Sequence, residues 1–592
     1  MENPERVTYF AATDARGKRV PFGIKAKDRS KHMYVIGKTG MGKSTMLENM
    51  AIQDIRNGEG MAFIDPHGSA VEKLLDFIPQ ERVKDVVYFA PFDLDQPIAF
   101  NVMEDVGYDK RHLVVSGLMA TFKKIWVDAW SARMEYILSN TLLALLEYPD
   151  STLLGVNRMY TDKNYRKKVV ENVKDPVVKD FWTKEFANYG DRYTQEATPA
   201  IQNKIGQFTS NPLIRNIIGQ PHSSFDIRDL MDTRKILLVN LSKGLVGDTN
   251  MQLLGSMITT RIFLGAMSRA NLPAHELAKA PSFYFYVDEF QNFANESFSE
   301  ILSEARKYQL NLVIAHQYVA QMEEEVQAAV FGNVGTTVSF RVGPLDAELL
   351  EKVFTPKFLQ EDLVNLGFAQ VYLSLMIDGV GSQPFSAVTI PPIEQPARSY
   401  RSEVIAMSRA QFAPAGRVGV EEAIMSELSL SDVEELAARA QQSEEDRKKA
   451  GRATAPSSYP SARPQARRDD RQAPRTESAP QPRREDRNER PQPRREERGE
   501  RTERPSPPAA AKTAEDLKAI LRQTVANAQK DTRKKEGGKQ MGLKHALSDV
   551  IRHSEPEQPP RPERSQPESA SNEPRPVFEV PEETLRSLFK GL

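Results

Sequence analysis

Residues 34–47 read YVIGKTGMGKSTML, a short apolar run that breaks into a loop with glycine at 37, 40 and 42 and then resumes a helical pattern at Met46, Leu47, Met50 and Ile55. Gly37-x-x-x-x-Gly42-Lys43-Ser44 has the spacing of a polyphosphate cradle between a strand and a helix. Phosphate oxygens need several N–H donors converging on one concavity, and only glycine lets backbone amides approach that closely. A helix starting where the loop ends aims its free amides and the positive end of its dipole at the phosphates. The expected nucleotide contacts are Gly37, Lys38, Thr39, Gly40, Met41, Gly42, Lys43, Ser44 and Thr45. Lys43 is expected to reach the β/γ oxygens of ATP, and the Ser44 hydroxyl to ligate Mg2+.

Outward from this loop, other β-type runs recur: MAFID (61–65), VVYFA (86–90), KILLVNL (235–241), FYFYVDEF (283–290) and NLVIAH (311–316). Most are continuous apolar runs rather than alternating ones, as central parallel strands covered on both faces should be. Helical segments separate them, so the spacing predicts a doubly wound, mainly parallel α/β sheet. Residues 108–230 break the rhythm with helix-like LLALLEY, FWTKEFANY and IQNKIGQF, which reads as a mainly helical domain inserted between two strands. The expected organisation is 1–107 and 231–395 as the two parts of the α/β domain, 108–230 as the insert, and 396–440 as a linker with short helices.

The run FYFYVDEF ends in Asp288-Glu289. Carboxylates at the C-terminal end of a central strand fall beside the mouth of the phosphate loop. Asp288 is placed to hold the Mg2+ shell, and Glu289 to polarise an attacking water. The competing reading is an acid pair that caps the next helix. NLVIAH is followed by Gln317, which would either touch the γ-phosphate or lytic water, or bond an ordinary loop. Arg306 and Lys307 precede that strand. Arg306 would either reach across a subunit boundary to a neighbour's γ-phosphate or be a solvated charge. AFIDPHG (62–68) turns at the same sheet edge; Asp65 or His67 would contact nucleotide or DNA, or Asp65 would cap the following helix.

The totals exclude several classes. The chain has 592 residues, too many for one core, and 80 basic against 81 acidic residues, so any nucleic-acid surface must be local. Candidate basic clusters are Lys25, Lys27, Arg29 and Lys31; Lys123 and Lys124; and Arg166, Lys167 and Lys168. With no cysteine, disulfides and thiolate metal sites are out. No apolar run approaches the roughly 20 residues of a membrane helix, and a cytoplasmic protein is expected. Residues 441–512 are rich in Arg, Glu and Pro, with an imperfect repeat PRREDRNER, PRREERGER, and are expected to be disordered. Residues 513–592 carry short amphipathic helical patterns suited to ordering against a partner's groove, the partner itself being unknown.

Taken together, GKTGMGKST, AFIDPHG, IAFNVME, RKILLVNLSKG, YVDEFQNF, EARKYQLNLVIAHQ and TTVSFRV resemble the type IV secretion coupling ATPases of conjugative DNA transfer, within the HerA/FtsK branch of RecA-like motors. The resemblance covers roughly residues 30–390. It implies a RecA-like domain with an inserted all-α domain, assembly into hexameric rings, DNA in a central pore, and a membrane-embedded secretion-channel or relaxosome partner. It also implies the roles given above for Lys43, Ser44, Asp288, Glu289 and Gln317, and matches Arg306 to a trans-acting arginine. Proteins of this group usually carry transmembrane helices ahead of the motor, whereas the first 33 residues here contain no anchor. Either a soluble member docks on a membrane partner, peripherally at the inner face of the membrane, or the role is not secretion. Alternative readings are a HerA/FtsK-like motor for DNA repair, chromosome handling or pilus assembly, and a nucleotide-dependent scaffold that recruits partners through its tail.

Overall fold

The computed structural model describes residues 3–428 apart from 15–17, 190 and 295–296. The expected tail, 441–512 and 513–592, lies outside the described residues. In chain order the strands of the main sheet are β1 (Val7–Thr13), β2 (Pro21–Lys25), β3 (Met33–Ile36), β4 (Gly60–Asp65), β5 (Val86–Phe89), β6 (Ile236–Asn240), β7 (Phe283–Val287), β8 (Leu310–His316), β9 (Thr336–Ser339), β10 (Gln370–Ser374) and β11 (Phe385–Thr389). Their spatial order is β2-β1-β11-β10-β9-β3-β8-β7-β4-β6-β5. From β9 to β5 every neighbouring pair is parallel. From β9 through β10, β11, β1 and β2 every pair is antiparallel.

The apolar runs explain the parallel half. Each residue of β3, β4, β7 and β8 is buried. Along β7 the side chains alternate between two cores. Tyr284 and Tyr286 join the core that includes Met46, Leu47 and Met50 of the helix Lys43–Arg56. Phe283, Phe285 and Val287 join the other, with Leu118 and Phe122 of the helix Arg111–Ile125 and Met257 of the helix Asp248–Met267. This is the doubly wound sheet that the sequence pattern predicts. Between β5 and β6 the described residues form helices and no strand, among them Arg111–Ile125 and Ala132–Glu147.

The antiparallel flank escapes the sequence pattern. β1 is only partly buried along its length, and β10 alternates between exposed or half-exposed and buried residues. Strands solvated on one face carry mixed residues, so their runs are shorter and less apolar than those of the centre. The helix Arg401–Phe412, in the stretch expected to be a linker, packs back on the sheet's far edge: the Ser408 hydroxyl accepts from the Tyr88 N–H at 2.9 Å, and Arg409 pairs with Asp93 at 2.8 Å.

One buried charge cluster binds the halves. Arg29, just ahead of β3, donates to both oxygens of Asp54 at 2.6 and 2.8 Å, to the Tyr286 hydroxyl at 2.7 Å and to Thr8 at 3.1 Å. Its guanidinium lies 3.5 Å from the centre of the Tyr284 ring. Asp54 belongs to the helix after the phosphate loop and the two tyrosines to β7, so this pair ties the loop's helix to the strand bearing the acids. Arg29 is thus a core residue and not part of an open basic face. Lys25 and Lys27 are also spoken for: Lys25 pairs with Glu5 at 2.8 Å and Asp378 at 2.7 Å, and Lys27 pairs with Asp378 at 2.8 Å and with Glu5.

Removing one member of a buried ion pair strands the other without solvent. Arg29→Met is expected to destabilise the fold by about 3–5 kcal/mol, read as a fall in the denaturant midpoint. Arg29→Met combined with Asp54→Leu should restore much of that loss.

Candidate nucleotide-binding site

The loop after β3 is held by its own neighbours. The Gly37 N–H donates to the carbonyl of His316 at 3.2 Å, and the Lys38 N–H to that of Arg341 at 2.8 Å, so the loop hangs from the ends of β8 and β9. A Cβ at Gly37 would lie 2.5 Å from Phe340 Cβ, too close for any other residue. Gly40 and Gly42 have φ of +76° and +111°, conformations that L side chains rarely adopt. Gly42 is the N-cap of the helix Lys43–Arg56, and no side chain caps that end. The first amides of that helix are therefore open to an anion.

Lys43 is buried, 4% exposed, yet its Nζ donates only to loop carbonyls, to Gly37 at 2.7 Å and Lys38 at 3.4 Å. Burial holds its pKa below the ordinary lysine value, opposed by the charges of Glu289 and Asp288. The Ser44 hydroxyl donates to Asp288 Oδ2 at 2.8 Å, so two segments 244 residues apart in the chain meet here. Burial pushes the Asp288 carboxyl up to about 6; the bond from Ser44 pulls against this, and Asp65 and Glu289 add to it.

Glu289 is the residue at which the chain turns off β7. Its φ and ψ are +45° and +51°, a left-handed conformation that is costly for a side-chain-bearing residue. Its carboxylate accepts from Gln291 Nε2 at 2.6 Å, and its carbonyl from Asn292 Nδ2 at 3.0 Å. It is 8% exposed. Glu289 is the N-cap of the short helix Phe290–Asn292 without a capping bond from its side chain, and Asp288 Oδ1 accepts from the Glu289 N–H at 2.9 Å. Gln317 follows the C-terminal end of β8, half-buried at the same sheet edge. Before it, His316 accepts or donates at Nδ1 with the Tyr34 hydroxyl at 3.1 Å, and burial beside Lys43 and Lys124 pushes it down to about 3, leaving it neutral.

Arg306 lies away from this site, and Asp65, next to Asp288 at the end of β4, is taken up by its own turn. Arg306 sits in the turn before β8, exposed, at the opposite edge of the sheet from the phosphate loop. It does not join the site of its own chain. Asp65 accepts from the His67 N–H at 2.7 Å and the Ala70 N–H at 2.7 Å, which caps the helix Ser69–Leu75; His67 is exposed.

The family model described as the type IV secretion-system coupling protein DNA-binding domain matches residues 18–359, more than half the chain. The chain belongs to this coupling-protein family. Among solved structures, the coupling protein is similar to the plasmid coupling protein TrwB in complex with ADP and Mg2+, at 14% identity over 68% of this chain and 98% of that one, with a TM-score of 0.48. It is also similar to VirB4 of Thermoanaerobacter pseudethanolicus, at 13% identity over 68% and 99%, with a TM-score of 0.42. Among curated proteins nothing matches. No helix of the described residues is long and apolar enough to cross a membrane.

The coupling protein holds one site residue that sequence reading passes over. Lys124, on the helix Arg111–Ile125, donates to the carbonyl of Gln291 at 2.7 Å and to that of Ala294. Burial lowers its pKa to about 8. In sequence it looks like half of a basic pair; in space it reaches from the helical region into the loop that carries Glu289. Lys124→Met keeps the stem and removes the donor. It is expected to speed amide hydrogen exchange over residues 289–294 severalfold, with exchange in β3, β7 and β8 unchanged, in a mass-spectrometric exchange measurement.

Proposed function

We propose that this coupling protein is an ATP-hydrolysing DNA translocase. The observation that carries the reading is the Ser44–Asp288 contact, with buried Lys43 and Glu289 beside it. A buried ammonium bonded only to carbonyls is suited to an incoming anion, and the hydroxyl-carboxylate pair offers the hard oxygen donors that Mg2+ prefers. Ser44 and Asp288 would hold the ion. Bound there, Mg2+ would neutralise charge on the β and γ oxygens of ATP.

The chain's own residues do the rest. Amides from Thr39 to Thr45 hold the phosphates, those of Gly37 and Lys38 being committed to the carbonyls of His316 and Arg341, and Lys43 lies on the β/γ oxygens. Glu289, fixed by Gln291, takes up the proton of the attacking water. Gln317, at the end of the strand between the two loops, touches the γ-phosphate or the water and registers its loss. Arg306, at the far edge, serves the neighbouring subunit's site in a ring that is expected to be a hexamer. DNA threads the ring, in keeping with the DNA-binding domain for which the family model is described. We take 108–230 as a separate helical domain and 1–107 with 231–395 as the motor domain. Docking at the inner face of the membrane on a secretion-channel or relaxosome partner completes the reading, with the tail as a tether.

Glu289→Gln is expected to bind ATP like the parent while turnover falls by about 10²–10⁴-fold, the range for a general base; turnover within a factor of two of the parent rejects the assignment. The function itself is tested by steady-state ATPase assays with and without single- and double-stranded DNA, beside a sizing measurement. At least severalfold stimulation by DNA in a hexameric species is expected. Hydrolysis indifferent to both DNAs rejects the translocase in favour of a nucleotide-dependent scaffold.

A further inference from the structure

The acids and Gln317 account for the phosphate end of the site and leave its other end undescribed. In the sheet β7 and β8 lie on one side of β3, and β9 and β10 on the other. A γ-phosphate that faces Glu289 fixes the direction of the rest of the nucleotide. The nucleoside must leave the loop on the side away from β7, over the ends of β9 and β10.

On that side stands the turn 366–369. The Ala369 N–H donates to the carbonyl of Met41 in the phosphate loop at 3.3 Å. The Ala369 carbonyl accepts from the Thr389 N–H at 2.8 Å and from its hydroxyl at 3.3 Å. The same hydroxyl lies 3.9 Å from where a Cβ of Gly42 would be. Ala369 has φ of +60°, a left-handed conformation in a residue with a side chain. Leu363, ahead of the turn, and Leu366, its first residue, are buried, and the Gly367 N–H is held by Gln370 at 2.8 Å. The backbone is thus fixed from several directions, against the phosphate loop itself.

The side chain this turn presents is open to solvent. Phe368 is 72% exposed, the most exposed phenylalanine of the described residues. No ring or cation of the described residues stacks on it. A rigid turn, partly strained, that projects a bare aromatic ring beside a phosphate loop is arranged for a flat partner.

We propose that Phe368 is the platform on which the base of the bound nucleoside triphosphate stacks. This rests on the reading of the loop as an ATP site. Stacking on a phenyl ring uses the π-face that every base has and reads no hydrogen-bond pattern. The platform therefore contributes affinity for purine nucleotides as a class, with little discrimination between adenine and guanine.

The test compares binding of Mg-ADP, Mg-GDP and inorganic tripolyphosphate to the full chain by calorimetry, for the parent, Phe368→Ala and Phe368→Trp. Phe368→Ala is expected to weaken ADP and GDP about tenfold or more, as loss of a base stack does, and to leave tripolyphosphate within a factor of two. Phe368→Trp is expected to retain nucleotide affinity. Unchanged ADP affinity in Phe368→Ala overturns the proposal. Equal loss of ADP and tripolyphosphate, or a change in assembly size, also overturns it and assigns the ring to loop support or to an interface between copies. Lys43→Ala separates the two levels: if it leaves ADP and tripolyphosphate binding intact, the ATP-site reading itself fails.

Discussion

The Ser44 hydroxyl and the Asp288 carboxylate share one hydrogen bond, and the site exists only where the sheet lets them do so. Their strands, β3 and β7, run in the same direction with β8 between them. Neighbouring strands are about 4.8 Å apart, so the two strand ends stand about 10 Å from one another, a gap that two short overhanging loops can close. An antiparallel or adjacent arrangement would send one loop to the wrong edge or crowd the phosphates out. Parallel order, one strand of spacing and full burial of the strands are therefore a single constraint. The continuous apolar character of the runs, which commits each strand to cover on both faces, is what enforces it.

Around that contact the molecule spends unusual conformations and buried charge. Glu289 is left-handed and Lys43 is a buried ammonium whose hydrogen bonds go to loop carbonyls. Such features persist only where surroundings over-determine them. On one face of the sheet the Arg29–Asp54 pair and two tyrosines lock the helix after the phosphate loop to β7. On the other face Lys124 reaches from the helical region to the carbonyls behind Glu289. The acid-bearing loop is thus joined to the helices between β5 and β6 by a cation whose hydrogen bonds hold the backbone directly. A shift of those helices would be felt at Gln291, and through its side chain at the Glu289 carboxylate.

Much of this is written locally in the chain. The glycine spacing at 37–42, the Lys43-Ser44 step, the apolar run into Asp288-Glu289 and the run into Gln317 each carry their meaning in a few consecutive residues. The backbone geometry or burial that they require is itself a local property. By themselves they determine a parallel, doubly wound sheet with a phosphate loop and acids at one edge. The antiparallel strands β1, β2, β10 and β11 are not legible in the same way, because half-solvated strands accept mixed residues and are specified by the neighbours they pair with. Only the tertiary structure decides that Arg29 is core and not surface, that Asp65 caps its own helix, and that Arg306 stands at the edge away from its own phosphate loop. It likewise decides that Lys124 meets the carbonyls behind Glu289 and that the turn bearing Phe368 bonds the phosphate loop at Met41. A lone lysine or phenylalanine has no pattern in sequence; its meaning is which backbone it meets after the chain has closed, and that is set by sheet order.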